Sequence, residues 1–137
     1  MLVKEFISET NKNQMISILL KHYKVGSVKV KQKSMKDHAH FDVDRGTLEL
    51  STKYKVIKKN QIKEFLITII HEIRHAMDAK KYGWRKFKDD YEWEMNYQIS
   101  QGKDEYKDNK YEIEAEQFGQ KNWQKWYRIF KKDNLIL

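Results

Sequence analysis

The fold is decided by Asn60-Gln61-Ile62-Lys63-Glu64-Phe65-Leu66-Ile67-Thr68-Ile69-Ile70-His71-Glu72-Ile73-Arg74-His75-Ala76-Met77-Asp78-Ala79-Lys80-Lys81. Ile62, Phe65, Leu66, Ile69, Ile73, Ala76 and Met77 recur at the i, i+3, i+4, i+7 spacing of one helix face. Ile67 and Ile70 add apolar surface on other sides, so this helix is expected to be central and buried. Gly83 stands where a helix of this extent should stop. Within the stretch lies His71-Glu72-Ile73-Arg74-His75. Positions i and i+4 of a helix are about 40° apart, so both imidazoles converge on one point. Glu72 lies about 60° beyond His75 on the same side.

This is the HExxH pattern, and the chemistry it serves explains the spacing. Two histidines on one helical face supply two ligands to a zinc ion. A third protein ligand completes the set and leaves one position for water, whose pKa the metal lowers. Glu72 is placed to take a proton from that water as general base and pass it to a leaving amine. Given the chain's own His and Glu content, an HExxH arises by chance in roughly 1–2% of such chains. A histidine pair merely buried in a core helix is the competing reading.

The third ligand must come from elsewhere, and Tyr111-Glu112-Ile113-Glu114-Ala115-Glu116-Gln117-Phe118-Gly119 supplies candidates. Glu112 and Glu116 are i, i+4 on one helix face, with Glu114 opposite. Ala115 and Gly119 lie beside that face and permit close helix approach. A solvated acidic first turn, favoured by the helix dipole, is the alternative, and all three glutamates stay in play as ligands. Asp78 is i+4 to Arg74: it forms a surface ion pair or orients a zinc histidine.

Around these motifs the chain reads as one α+β domain over residues 1–137. A helix is expected over about Glu9 to Tyr23, stopped by Gly26, and a strand from Val25 to Lys31. His38–Val43 and Thr47–Ser51 form a hairpin about Asp44-Arg45-Gly46. These make a small sheet of about three strands. After the central helix come a polar helix, Trp84 to Ser100, a loop from Gly102 to Asn109, and a last helix from about Lys110 to Lys131. Asn109 and Glu112 form its capping box. His38 and His40 share one strand face and read as turn-flanking surface residues, with a place near the cleft as the alternative. Trp84, Tyr91, Trp93, Tyr97, Tyr106 and Tyr111 read as core and interface rather than substrate pocket, with a tyrosine or histidine as the alternative donor to a tetrahedral oxyanion, and Trp123, Trp126, Tyr127 and Phe130 as core.

Composition narrows the chemistry. The 137 residues contain no cysteine, which excludes disulfides, thiolate metal sites and a cysteine nucleophile. There are 28 basic and 20 acidic residues, a net charge of +8. The excess is dispersed lysine with no recognised nucleic-acid motif, so nucleic acid is not the expected partner. Phe65 to Ile70, interrupted by Thr68, is the longest apolar run, far below the roughly 20 residues of a membrane span. Met1-Leu2-Val3-Lys4-Glu5-Phe6 lacks a leader-type apolar run. The expectation is a cytoplasmic protein with no membrane partner.

HEIRH followed by E-x-x-A-E at a helix start resembles the gluzincins, the HExxH-plus-Glu zinc peptidases, and in particular their compact prokaryotic and phage domains. The resemblance covers about residues 25 to 125. It implies a zincin-type fold with a hairpin edge strand above the site. It implies Zn²⁺ held by His71, His75 and Glu112, with Glu72 as general base. Glu116 occupies the position of the acid that partners the first histidine, where the family more often has Asp. The implied substrate is a peptide or protein bound in extended form, added to the edge strand. The competing function is a catalytically silent or latent zincin-fold binding protein, with the insert between His75 and Glu112 as its plug.

Overall fold

A computed structural model describes residues 6–137, so the Met1–Glu5 part of the leader reading lies outside the described residues. The chain is α+β. Helix α1 (Glu9–His22) follows a short strand β1 (Phe6–Ile7). Strands β2 (Lys29–Lys33), β3 (Ala39–Asp42), β4 (Thr47–Ser51) and the short β5 (Ile57–Lys58) come next. Helices α2 (Ile62–Tyr82), α3 (Trp84–Ser100) and α4 (Lys110–Lys132) complete the chain. No helix among the described residues is long and apolar enough to cross a membrane.

The three-stranded sheet has the order β2-β4-β3, so β3 is an edge. β3 and β4 form the expected hairpin, with Phe41 opposite Leu48 and Asp42 opposite Thr47. Gly46 at its turn has φ +63°, the left-handed conformation that glycine adopts without steric cost. β2 joins β4 in parallel, Lys29 opposite Thr47 and Lys33 opposite Ser51. β1 and β5 form a separate antiparallel pair, too short to show as an alternating pattern in the sequence.

β2 begins later than expected, and the cause is the end of α1. The Val25 N–H reaches back to the Leu20 carbonyl and Lys24 takes φ +62°, a Schellman-type closure. Lys24, not Gly26, stops the helix, and Val25 is then a buried plug rather than a strand residue. At the far end of α2 the expectation holds: Gly83, at φ +86°, is the single residue between α2 and α3.

α2 is the central element. Phe65, Leu66, Ile69, Ile70 and Ile73 are all buried, against Met15 and Leu19 of α1, Leu48 and Leu50 of β4, and Phe130 of α4 in one core. Trp126 and Phe130 are buried with them, and Trp126 Nε1 donates to the Tyr23 hydroxyl at 2.9 Å, tying α4 to α1. Of the six aromatics read as core and interface, Tyr111 is buried, whereas Trp84, Trp93, Tyr97 and Tyr106 are exposed. The first three lie on the outer side of α3.

α4 crosses α2 where both are narrow. Ala115 is fully buried, and a Cβ at Gly119 would come within 2.7 Å of the Ile67 carbonyl oxygen and 3.2 Å of its Cγ2. Because the opposing atom is backbone, a methyl group there forces the helices apart. Gly119→Ala is therefore expected to destabilise the fold by about 1–3 kcal/mol, although alanine is the better helix former. Urea denaturation checks this. A variant as stable as the parent, or more stable, refutes the close crossing.

Candidate metal centre

The α2–α4 crossing brings the first turn of α4 over the middle of α2. Asn109 caps α4, its side chain accepting from Tyr111 N at 2.9 Å. The expected capping box is only half formed. Glu112 does not return to the Asn109 backbone, because its carboxylate turns inward to the histidines. Glu112 Oε1 is in direct contact with His75 Nε2 and 3.6 Å from His71 Nε2. One ligand atom from each of His71, His75 and Glu112 lies within 4.8 Å of the other two, and all three residues are buried.

The helical phase of α4 sorts its three carboxylates. Glu112 enters the site. Glu116, one turn on, reaches His71 Nδ1 at 2.9 Å, leaving Nε2 to face inward. Glu114 points to the opposite flank, where its carboxylate lies 3.8 Å from Arg74 Nη2. Arg74 also donates to Asp78 Oδ1 at 3.4 Å and covers the Phe118 ring. Asp78 is buried, so its pair with Arg74 is not the surface pair expected. Among the described residues its hydrogen-bonding partner is Arg74, not His71 or His75. The acid beside a site histidine is Glu116.

Glu72 is buried beside this cluster, one carboxylate oxygen accepting from the Phe41 backbone N–H of β3 at 3.1 Å. The start of β3 is fastened to α2 as well. The Tyr54 hydroxyl donates to Glu64, and His38 lies 2.9 Å from the same carboxylate and 3.2 Å from that hydroxyl. Burial, with the hydrogen bond and charge of Glu64, pushes the Tyr54 hydroxyl up and keeps it a donor. A cavity of about 760 Å³ opens between β3, α2 and α3, lined by His71, Glu72, His75 and Glu112. His38 and His40 line it too, so they face the cleft rather than only the outer surface. Lys88 Nζ on α3 meets both oxygens of Asp44 in the β3–β4 turn, at 2.9 and 3.2 Å, bridging the cavity's two walls.

The electrostatics follow from burial opposed by close charges. Burial disfavours a charged His71, but the nearby carboxylates of Glu112, Glu72 and Glu116 outweigh it and raise His71 to about 9. Burial would likewise raise Glu112, yet the close imidazoles of His71 and His75 hold it well below the usual carboxylate range. Glu72 is pushed up: burial dominates, the histidines oppose it and Glu112 adds to it. Tyr91 on α3 and Tyr106 in the loop before α4 are both held up by burial and by the charge of Glu112 that they face. Both line the cavity. Their spacing in the sequence points to core or interface. Nothing in it marks them for the cavity, because each arrives from a different element.

The donor set fits a divalent cation. His71 Nε2 and Glu112 Oε2 are buried without hydrogen-bond partners. Orphaned polar atoms of this kind cost about 1–3 kcal/mol each, and a cation at their meeting point would satisfy both. Two imidazoles and one carboxylate suit zinc. The protein is expected to bind one zinc, with loss of stoichiometric binding in His71→Ala. Glu116→Gln should keep the ion but weaken it about 10–100-fold, the usual cost of losing a histidine's carboxylate partner. Competition with a chromophoric chelator measures both. Equal affinity in all three proteins would show that these side chains are not the ligand set. Compared with protein-family models, with curated proteins and with solved structures, the chain has no match.

Proposed function

We propose that the chain is a zinc-dependent metallopeptidase of minimal gluzincin type. The observation that carries this reading is the convergence of His71, His75 and Glu112, with unpartnered atoms aimed inward, on the wall of a cleft that also holds Glu72.

His71 Nε2, His75 Nε2 and the Glu112 carboxylate would hold the ion. Zinc, when bound, supplies a Lewis acid that acidifies a coordinated water and polarises a peptide carbonyl. The chain's own residues do the rest. Glu116 at His71 Nδ1 fixes which ring nitrogen faces inward. The Phe41 N–H holds one oxygen of Glu72, so the carboxylate has a fixed direction. Burial raises the proton affinity of Glu72, which suits a group that must take a proton from water and then release it to the departing amine. β3, an edge strand along the cavity, offers an extended peptide a strand to join.

Glu72→Gln should retain zinc at the native stoichiometry and lose peptide hydrolysis by about 10²–10⁴-fold, the usual contribution of general acid–base catalysis. Metal analysis and cleavage of an unfolded protein, followed by mass spectrometry, measure the two separately. Hydrolysis undiminished in zinc-loaded Glu72→Gln would remove the proposed mechanism. Zinc bound by the native chain without cleavage would assign the site to a catalytically silent binding protein instead.

A further inference from the structure

The cleft beside β3 is not the only space that reaches the ligand cluster. A second cavity, about 680 Å³, lies along the outer side of α4. The two share His71, Tyr106, Glu112 and Glu116 in their walls, so the ligand cluster stands between them. On one side the path runs past β3. On the other it runs past Ile113, Gln117 and Gln120, where Ile113 is left 41% exposed, an apolar seat for a side chain.

A site that trims chain ends needs a different arrangement. It needs a wall on one side and a sheltered charge there, a carboxylate for a terminal ammonium or a cation for a terminal carboxylate. Apart from Glu72 and the ligand Glu112, which the proposed chemistry uses, neither cavity has one among the described residues. Asp42 is taken by the Asp44 and Arg45 backbone N–H groups. Asp44 is taken by Lys88, and Glu116 by His71. The remaining acids, Asp37 and Glu92, are exposed, as are Lys36, Lys107 and Lys121. None of the four arginines lines either cavity. Exposed charges are screened by water and hold a terminus weakly.

We infer that the site takes an interior stretch of an extended peptide, running through both cavities past the ligand cluster, and so cuts within chains rather than at their ends. The cutting rests on the peptidase reading above. The two-sided path rests on the cavities alone. Tyr106, more than half exposed and part of both walls, sits over that path and must give way as the chain crosses.

The test uses peptides of about ten residues, some 33 Å when extended, made with free ends and with acetylated and amidated ends. Zinc-loaded native protein should cut both sets at internal bonds and at similar rates. A site that gripped an end would lose roughly 10- to 100-fold on blocking, the worth of a charged hydrogen bond. Removal of single residues from free-ended peptides alone would overturn the inference. Binding is read independently in zinc-loaded, ¹⁵N-labelled Glu72→Gln. Blocked peptide should shift the Ala39 and Val43 amides and the Ile113 and Gln117 amides together. Shifts confined to one cavity overturn the two-sided path whatever the activity. Shifts on both sides without hydrolysis by the native protein uphold the path and retire the peptidase reading.

Discussion

The contact between Gly119 of α4 and the Ile67 carbonyl of α2 governs this structure. Helix axes approach this closely only where one side chain is missing, and Ala115 one turn earlier keeps the seam narrow. From that crossing, the first turn of α4 lies directly over His71 and His75. A larger residue at the seam would lift Glu112 away from both imidazoles. The apolar core and the polar cluster are therefore not separate achievements of the fold. The packing that buries Phe130 and Ile70 is the same packing that delivers a carboxylate to two histidines.

Rotation about the α4 axis matters as much as distance. Three glutamates occupy alternate positions on its first two turns, and only one phase puts Glu112 inward. The buried Ala115, Trp126 and Phe130 fix that phase, and Arg74 lies on the opposite flank, near Glu114 and across the Phe118 ring, while it also holds Asp78. Glu116 then falls on His71 Nδ1 without further adjustment. The buried charges are costly to hold together without a counter-charge. His71 is pushed up and Glu112 down because each faces the other's opposite charge away from water.

Much of this was legible in the chain. The spacing from Ile62 to Met77 marks a buried helix, and HEIRH inherits its geometry from that helix. Glu112 and Glu116 on one face, with Ala115 and Gly119 beside them, announce a close helix pair. Other features were not legible, for identifiable reasons. Lys24 rather than Gly26 ends α1 because a buried Val25 makes a left-handed lysine worth its strain. Glu112 abandons the capping box because two imidazoles compete for it more strongly than one backbone N–H. His38 and His40 face the cleft because the hairpin folds over α2, which no local pattern encodes.

The helices, the hairpin and the pair of histidines follow from the order of residues alone, because these depend on spacings of three, four and two residues that neighbouring positions enforce. Tertiary packing decides that Glu112, not Glu114 or Glu116, meets Nε2 of both histidines, that Asp78 pairs with Arg74, and that Tyr91 and Tyr106 meet over the same carboxylate. Those outcomes depend on where two helices cross and how each is turned about its axis. Contacts scattered along the chain set both, among them Gly119 against Ile67 and the burial of Trp126 and Phe130 in the shared core.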